Sequence, residues 1–286
     1  MKYTTISFPG LGLEFNPGRV IELGPLTIHY YGLIIATGLM LAAMYGMRRA
    51  KEFGATEDHV MDGVLWITPF AIVCARIYYC LFSWEMYADN PIEVFYIWEG
   101  GIAIYGGVLG AVLGMYVFSR IKKLNFFAVL DLILTCFLIG QAIGRWGNFF
   151  NREAFGGETE SFLRMGLFNT RTQSWEYHHP TFLYESVWNA AGFVLLHFLS
   201  KKRRYDGQIA LCYAAWYGLG RSFIEGLRTD SLYIGTTNLR VSQLLAVISC
   251  SIAVITLVYQ AMKPHDPENL FVNQVNKAKE GEQKDE

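Results

Sequence analysis

Two stretches of the chain gather residue types that can grip an anion. The first, Gly144-Arg145-Trp146-Gly147-Asn148-Phe149-Phe150-Asn151-Arg152-Glu153-Ala154-Phe155-Gly156-Gly157, holds four glycines, two amides, two arginines and one carboxylate. Glycine permits close backbone approach and unusual torsions, while Asn and Arg supply fixed donors to an anionic group. The second runs from Tyr217 to Arg228. There Tyr217, Arg221, Glu225 and Arg228 stand at i, i+4, i+8 and i+11, one polar stripe if a helix persists. A guanidinium fork held by a carboxylate one turn away can take phosphate or carboxylate bidentately. The residue types leave a second reading open, in which Arg221 and Glu225 only neutralise each other and 144–157 is a hydrated turn.

The elements that must position these residues are apolar. The composition is 52% hydrophobic and only 17% charged, against roughly 25% charged in soluble domains, which points to a membrane protein. With 24 Lys+Arg against 25 Asp+Glu there is no basic field for nucleic acid. Seven runs, about 26–47, 60–82, 101–118, 126–143, 181–199, 208–224 and 241–262, approach the ~20 residues that cross a bilayer. None has the two-residue alternation of a barrel strand, so the expected class is all-α and polytopic, with seven transmembrane helices. Arg48, Arg49 and Lys51, then Arg120, Lys122 and Lys123, then Lys201 to Arg204, then Lys263 follow alternate spans. Positive charge stays in the cytoplasm, which sets the N-terminus outside and the C-terminus inside.

Residues 1–262 read as one membrane domain, with 150–178 a small outward-facing cap and 263–286 a disordered cytoplasmic tail. The N-terminal 25 residues read as a short structured or interfacial segment without a cleavable signal. The five cysteines lie in apolar runs without metal-type spacing, so neither disulfide nor metal is expected. Ionisable groups inside spans are functional candidates by default: Arg76, Glu185, Arg221 and Glu225 belong to that set, whereas Asp62 and Asp131 lie near the cytoplasmic surface and suit solvated or capping roles. Gly140 and Gly144 form a small-xxx-small pair that lets another helix approach. Gly106, Gly110 and Gly114 form a similar packing stripe.

The segment 144–156 resembles the Gly-Arg-x-Gly-Asn-Phe-x-Asn-x-Glu-x-x-Gly signature of the bacterial prolipoprotein diacylglyceryl transferases. His29-Tyr30-Tyr31-Gly32, His179-Pro180-Thr181-Phe182-Leu183-Tyr184-Glu185 and Tyr217 to Arg228 match in the expected order, so the resemblance covers about residues 5–262. It implies an inner-membrane enzyme, its site toward the outer leaflet, that moves the diacylglyceryl group of phosphatidylglycerol to the lipobox Cys thiol of a preprolipoprotein signal peptide. It implies no cofactor. By the same resemblance Arg145 and Arg221 hold the headgroup phosphate, Tyr31 completes the pocket, and Asn148, Asn151 and Glu153 hold headgroup hydroxyls and orient Arg145. Gly156, Glu225 and Arg228 belong to the lipid-binding set.

One departure is chemical. The stretch Gly100-Gly101-Ile102-Ala103-Ile104-Tyr105-Gly106-Gly107 carries Tyr105 where many family members have His, so Tyr105 is the catalytic candidate there. A phenol of pKa about 10 is a poor base unless a nearby arginine depresses it, and the favoured reading is that it only hydrogen-bonds lipid while the thiol loses its proton elsewhere. Phe182 likewise replaces a frequent Gln. A transporter is the rival class for polar groups within a helical bundle, but no counterpart of 144–157 recurs in the other half of the chain. Gly-x-Ser-x-Gly and His-Glu-x-x-His are absent, so serine and zinc hydrolases lack their parts.

Overall fold

The computed structural model describes residues 2–24, 26–229, 231–233, 237 and 239–285, with only the backbone of Leu26, Glu99, Glu282, Lys284 and Asp285. In chain order the elements are β1 (Tyr3–Phe8), β2 (Leu13–Phe15), β3 (Val20–Leu23), β4 (Leu26–His29), α1 (Tyr30–Arg49), α2 (Glu57–Phe82), α3 (Ile104–Ile121), α4 (Phe126–Asn151), β5 (Met165–Asn169), β6 (Ser174–His178), α5 (Thr181–Ser200), α6 (Gln208–Leu227), α7 (Val241–Ala261) and α8 (Phe271–Asp285). Where the sequence suggests one body over 1–262, contacts divide the chain into two compact units: Met1–Ala42 with Ile133–Asp266, and Ala43–Leu132 with Pro267–Glu286.

Among the described residues, six helices are long and apolar enough to cross a membrane, against the seven runs counted in the sequence. The one that falls short is α6, which has the length but spends its positions on Gln208, three glycines, Arg221, Ser222 and Glu225. The all-α expectation also needs correction. The first unit holds an antiparallel sheet in the order β2-β1-β5-β6, and β3 and β4 form a hairpin of their own. Strand β1 finds its partner β5 more than 150 residues away, pairing Ile6 with Leu167 and Ser7 with Gly166. One face of this sheet is dry: Tyr3, Ile6, Phe8, Met165 and Leu167 pack with Phe149 near the end of α4 and Phe182 at the start of α5. The sheet therefore fixes where those two helix ends sit. Tyr3 donates its hydroxyl to Glu176 at 2.6 Å and Asn169 donates its amide at 2.6 Å. Those two donors hold the Glu176 carboxyl below its usual range, while burial pushes the Tyr3 phenol up.

The glycine pairs do what their spacing suggests. Within the first unit a Cβ on Gly38 of α1 would stand 3.5 Å from Gly140, and one on Gly144 would stand 3.2 Å from Ile35. In the second unit Gly110 lies against Cys74 and Gly114 against Phe70, with a Cβ at 2.5 and 3.0 Å respectively, so α2 and α3 touch along the stripe. Also in that unit, Arg76 is a fastener. Its guanidinium donates to the carbonyls of Val94 (2.8 Å), Glu93 (2.7 Å), Gly100 (2.6 Å) and Gly101 (3.0 Å), which ties the segment before α3 to α2.

Two charged groups differ from expectation. Asp62 pairs with Lys122 at 2.6 Å near the surface, but Asp131 is fully buried rather than solvated, because it shares the inward face of α4 with Ala128 and Leu132. The tail expected to be disordered forms α8 instead. Leu270 is buried, and Phe271 lies where a Cβ on Gly54 would be, 2.6 Å away, so two apolar residues at the start of the tail anchor an otherwise polar helix.

Candidate active site

The end of α4, the start of α5 and the end of α6 meet in the first unit around one carboxylate. Glu185, in the second turn of α5 and 5% exposed at its side chain, receives Arg145 Nη2 from α4 at 2.6 Å, Arg221 Nη1 from α6 at 3.2 Å and Arg228 Nη1 at 3.3 Å. Arg221 turns its other nitrogen to Glu225, one turn on, at 2.5 Å. Arg240, just before α7, donates to the backbone carbonyl of Glu225. Among the described residues, Arg145, Arg221 and Arg228 meet the Glu185 and Glu225 carboxylates here. Arginine keeps its proton, so the guanidiniums stay charged and suit an anionic phosphodiester. Buried carboxylates orient the forks; the hydrogens they leave over can face an incoming anion.

The stripe expected on α6 holds in part. Arg221 and Glu225 pair at i,i+4 as their spacing suggests, and the helix ends at Leu227 with Arg228 extended (φ −75°, ψ 147°), yet Arg228 still reaches Glu185. Tyr217 leaves the stripe, stacking on Tyr213 with ring centroids 5.6 Å apart.

Of the 144–157 segment, only Arg145 joins the ion cluster. Asn148 and Asn151 both donate to Glu153, at 3.2 and 3.1 Å. Glu153 thus orients the two amides, and the orientation of Arg145 expected from it falls to Glu185 on another helix. The positive torsions expected at glycines are carried by Arg152 (φ 54°) and Ala154 (φ 56°), each at a cost of about 1–2 kcal/mol. Thr181, fully buried, donates to the Ala154 carbonyl at 2.5 Å and holds that turn against α5. Gly156 is a packing residue in this arrangement: its N–H donates to His179 O at 3.0 Å, and a Cβ would lie 2.7 Å from His179 and 2.8 Å from Leu227 O. The Tyr31 ring lies over Gly147, 2.6 Å from where a Cβ would be, on the same helix as Arg145. Tyr105 stands at the start of α3 in the second unit.

Helices α5 and α6 are locked beside the cluster by a tryptophan pair. Trp188 and Trp216 stack at 4.3 Å, and each indole N–H donates to the other residue's backbone carbonyl, at 3.1 and 3.0 Å. The rings lie where Cβ atoms on Gly192 and Gly220 would be. Gly220 directly precedes Arg221, so Gly220→Ala is expected to push Trp188 aside and cost about 1–3 kcal/mol of stability. Thermal unfolding in detergent reads this as a lower midpoint; an unchanged midpoint would show that the pair repacks freely.

Glu185 is the residue at the centre of the cluster that reasoning along the chain undervalues. The signal was present: Arg145 has no acid within four positions and Glu185 has no base within four. Two unmatched charges inside apolar helices require partners on other elements.

A family model described as prolipoprotein diacylglyceryl transferase matches residues 19–259. The chain is 42% identical over 258 residues to a Bacillus velezensis protein named phosphatidylglycerol--prolipoprotein diacylglyceryl transferase, covering 88% of this chain and 94% of the relative. It is similar also to proteins of that name from Limosilactobacillus reuteri, 42% identical with 94% and 98% covered, and from Listeria welshimeri, 40% identical with 90% and 95% covered.

Proposed function

Because the chain belongs to the prolipoprotein diacylglyceryl transferase family, we propose that it transfers the diacylglyceryl group of phosphatidylglycerol to a prolipoprotein, a step of lipoprotein maturation. The observation that carries the site assignment is the convergence of Arg145, Arg221 and Arg228 on Glu185. The acceptor is the lipobox cysteine of the signal peptide. Its thiolate attacks the glycerol carbon that bears the phosphate; the C–S bond of a thioether forms as the C–O bond breaks, and glycerol phosphate leaves with the bonding electron pair. Arg145 and Arg221 bind that phosphate and offset the charge that grows on its oxygen, Arg228 adds a third guanidinium, and Asn148 and Asn151 hold the headgroup hydroxyls. Tyr31 closes the pocket.

A free thiol of pKa about 8.5 is only a few per cent ionised at neutral pH, so proton loss is part of the reaction. Tyr105 hydrogen-bonds lipid and is not the base. In this reading α6 is a further span in spite of its polar residues, the N-terminus lies outside, and the β2-β1-β5-β6 sheet forms the outward cap. The site opens to the outer leaflet of the inner membrane, and lipid enters laterally.

The test uses purified protein in detergent with phosphatidylglycerol and a lipobox peptide, following thioether and glycerol phosphate together. Wild type is expected to release one glycerol phosphate per thioether, a Cys→Ser peptide to give neither, and Tyr105→Phe to keep most of the rate. Folded wild type without Cys-dependent transfer would refute the assignment; loss of the rate in Tyr105→Phe would return the tyrosine to the chemistry.

A further inference from the structure

Beside the turn that ends α4 lie two more arginines, and neither meets an acid among the described residues. Arg19 Nη2 donates to Asn151 O at 2.7 Å, while Arg152 donates through Nη2 to Pro17 O at 2.7 Å and through Nη1 to Phe150 O at 3.1 Å. The bonds cross: Arg19 holds the carbonyl just before Arg152, and Arg152 holds one two positions before Arg19, so two cations are clasped side by side. Arg152 is only 5% exposed, and the Nε atoms of both arginines are buried with no hydrogen-bond acceptor among the described residues. Carbonyl oxygens satisfy N–H groups but cancel no charge. Burial and the neighbouring Arg19 charge both push the Arg152 guanidinium below its ordinary value, yet a guanidinium does not escape by losing its proton. A buried cation beside a half-buried one, with no counter-charge among the described residues, calls for an anion.

We propose that Arg19 and Arg152 form a second anion site, separate from the Glu185 cluster, that takes a phosphate group. A carboxylate, with two oxygens, is satisfied by a single fork; a phosphate presents enough oxygens for two guanidiniums at once. The Nη hydrogens not taken by Asn151, Pro17 and Phe150 are the donors. The site is joined to the candidate active site through Asn151, whose carbonyl receives Arg19 and whose amide donates to Glu153. The charge arithmetic separates the two sites: the Glu185 cluster has carboxylates of its own, and the Arg19–Arg152 clasp has none among the described residues. The phosphate can belong to a lipid headgroup or be free in solution, and the recognising chemistry is the same.

The experiment counts anions bound by the full chain in detergent, without acceptor peptide, so that it is independent of the transferase reading. Inorganic phosphate and dihexanoyl phosphatidylglycerol are titrated separately by equilibrium dialysis against wild type, Arg145→Gln, and Arg19→Gln combined with Arg152→Gln. Wild type is expected to bind two equivalents. The double variant is expected to bind one of them about 10- to 100-fold more weakly, the loss appropriate to charge-assisted hydrogen bonds, and Arg145→Gln to weaken only the other. Binding of both probes at the clasp supports a site for the phosphate group itself; binding of the lipid alone supports a headgroup site. If the double variant does not fold, Arg152→Lys, which keeps the charge but not the fork, is expected to show the same selective weakening. A single equivalent in wild type, unaffected by the clasp variants, would overturn the proposal and leave the clasp as a fastener of 17–19 to the α4 turn.

Discussion

Replacing Glu185 by alanine is expected to end transfer and to cost about 3–5 kcal/mol of stability, the range for removing one partner of a buried ion pair. Three guanidiniums, partly exposed, would then share the space with Glu225 as the carboxylate left among the described residues. The partial exposure of Arg145, 24% at its side chain, places the effect at the lower end. Glu185→Gln separates the two consequences. It keeps the shape and an acceptor oxygen, so the protein is expected to fold, while the forks lose the charge that aims them and the rate falls. Thermal unfolding in detergent and the thioether assay read the two effects. A wild-type rate in folded Glu185→Ala would mean that the phosphate is bound elsewhere.

Arg145→Ala carries the second large effect, a fall in the transfer rate of about 100- to 1000-fold, the loss that follows removal of one donor to a developing oxyanion. The fall is expected in kcat, because charge on the leaving oxygen grows only as the C–O bond breaks, with a smaller change in KM for phosphatidylglycerol. Arg145→Lys is expected to recover little. A lysine is a point charge, and the geometry in which Arg145 shows one nitrogen to Glu185 needs a fork to leave another free. If the alanine variant raised KM and left kcat alone, Arg145 would be a ground-state lipid contact and the leaving group would need another stabiliser.

How legible the protein was along its chain differs from part to part. The long apolar runs announced α1 to α5 and α7, since hydrophobic length is a local property. Pairing of Arg221 with Glu225 was readable for the same reason: one helical turn brings i and i+4 together wherever the helix goes. The sheet was harder to see. Residues 150–178 read as a polar outward loop, but strands of three to six residues whose partner lies beyond 150 positions, as Ile6 and Leu167 do, leave no periodic mark strong enough to see. The tail was misjudged because two residues, Leu270 and Phe271, outweigh the polar remainder once Gly54 offers them a seat.

By itself the sequence determined a membrane protein and the family to which its motifs point, and it named candidates for a phosphate site, because composition, hydrophobic length and a dense motif are read without knowing what touches what. Only the tertiary structure decided which of those residues act together. Arg145 and Glu185 are forty positions apart, and Glu153, eight positions from Arg145, turns to Asn148 and Asn151 instead. The physical reason is that a charge inside an apolar helix is satisfied by whatever opposite charge packing brings within about 3 Å, and packing, set here by the tryptophan pair and the sheet, is a property of the folded chain.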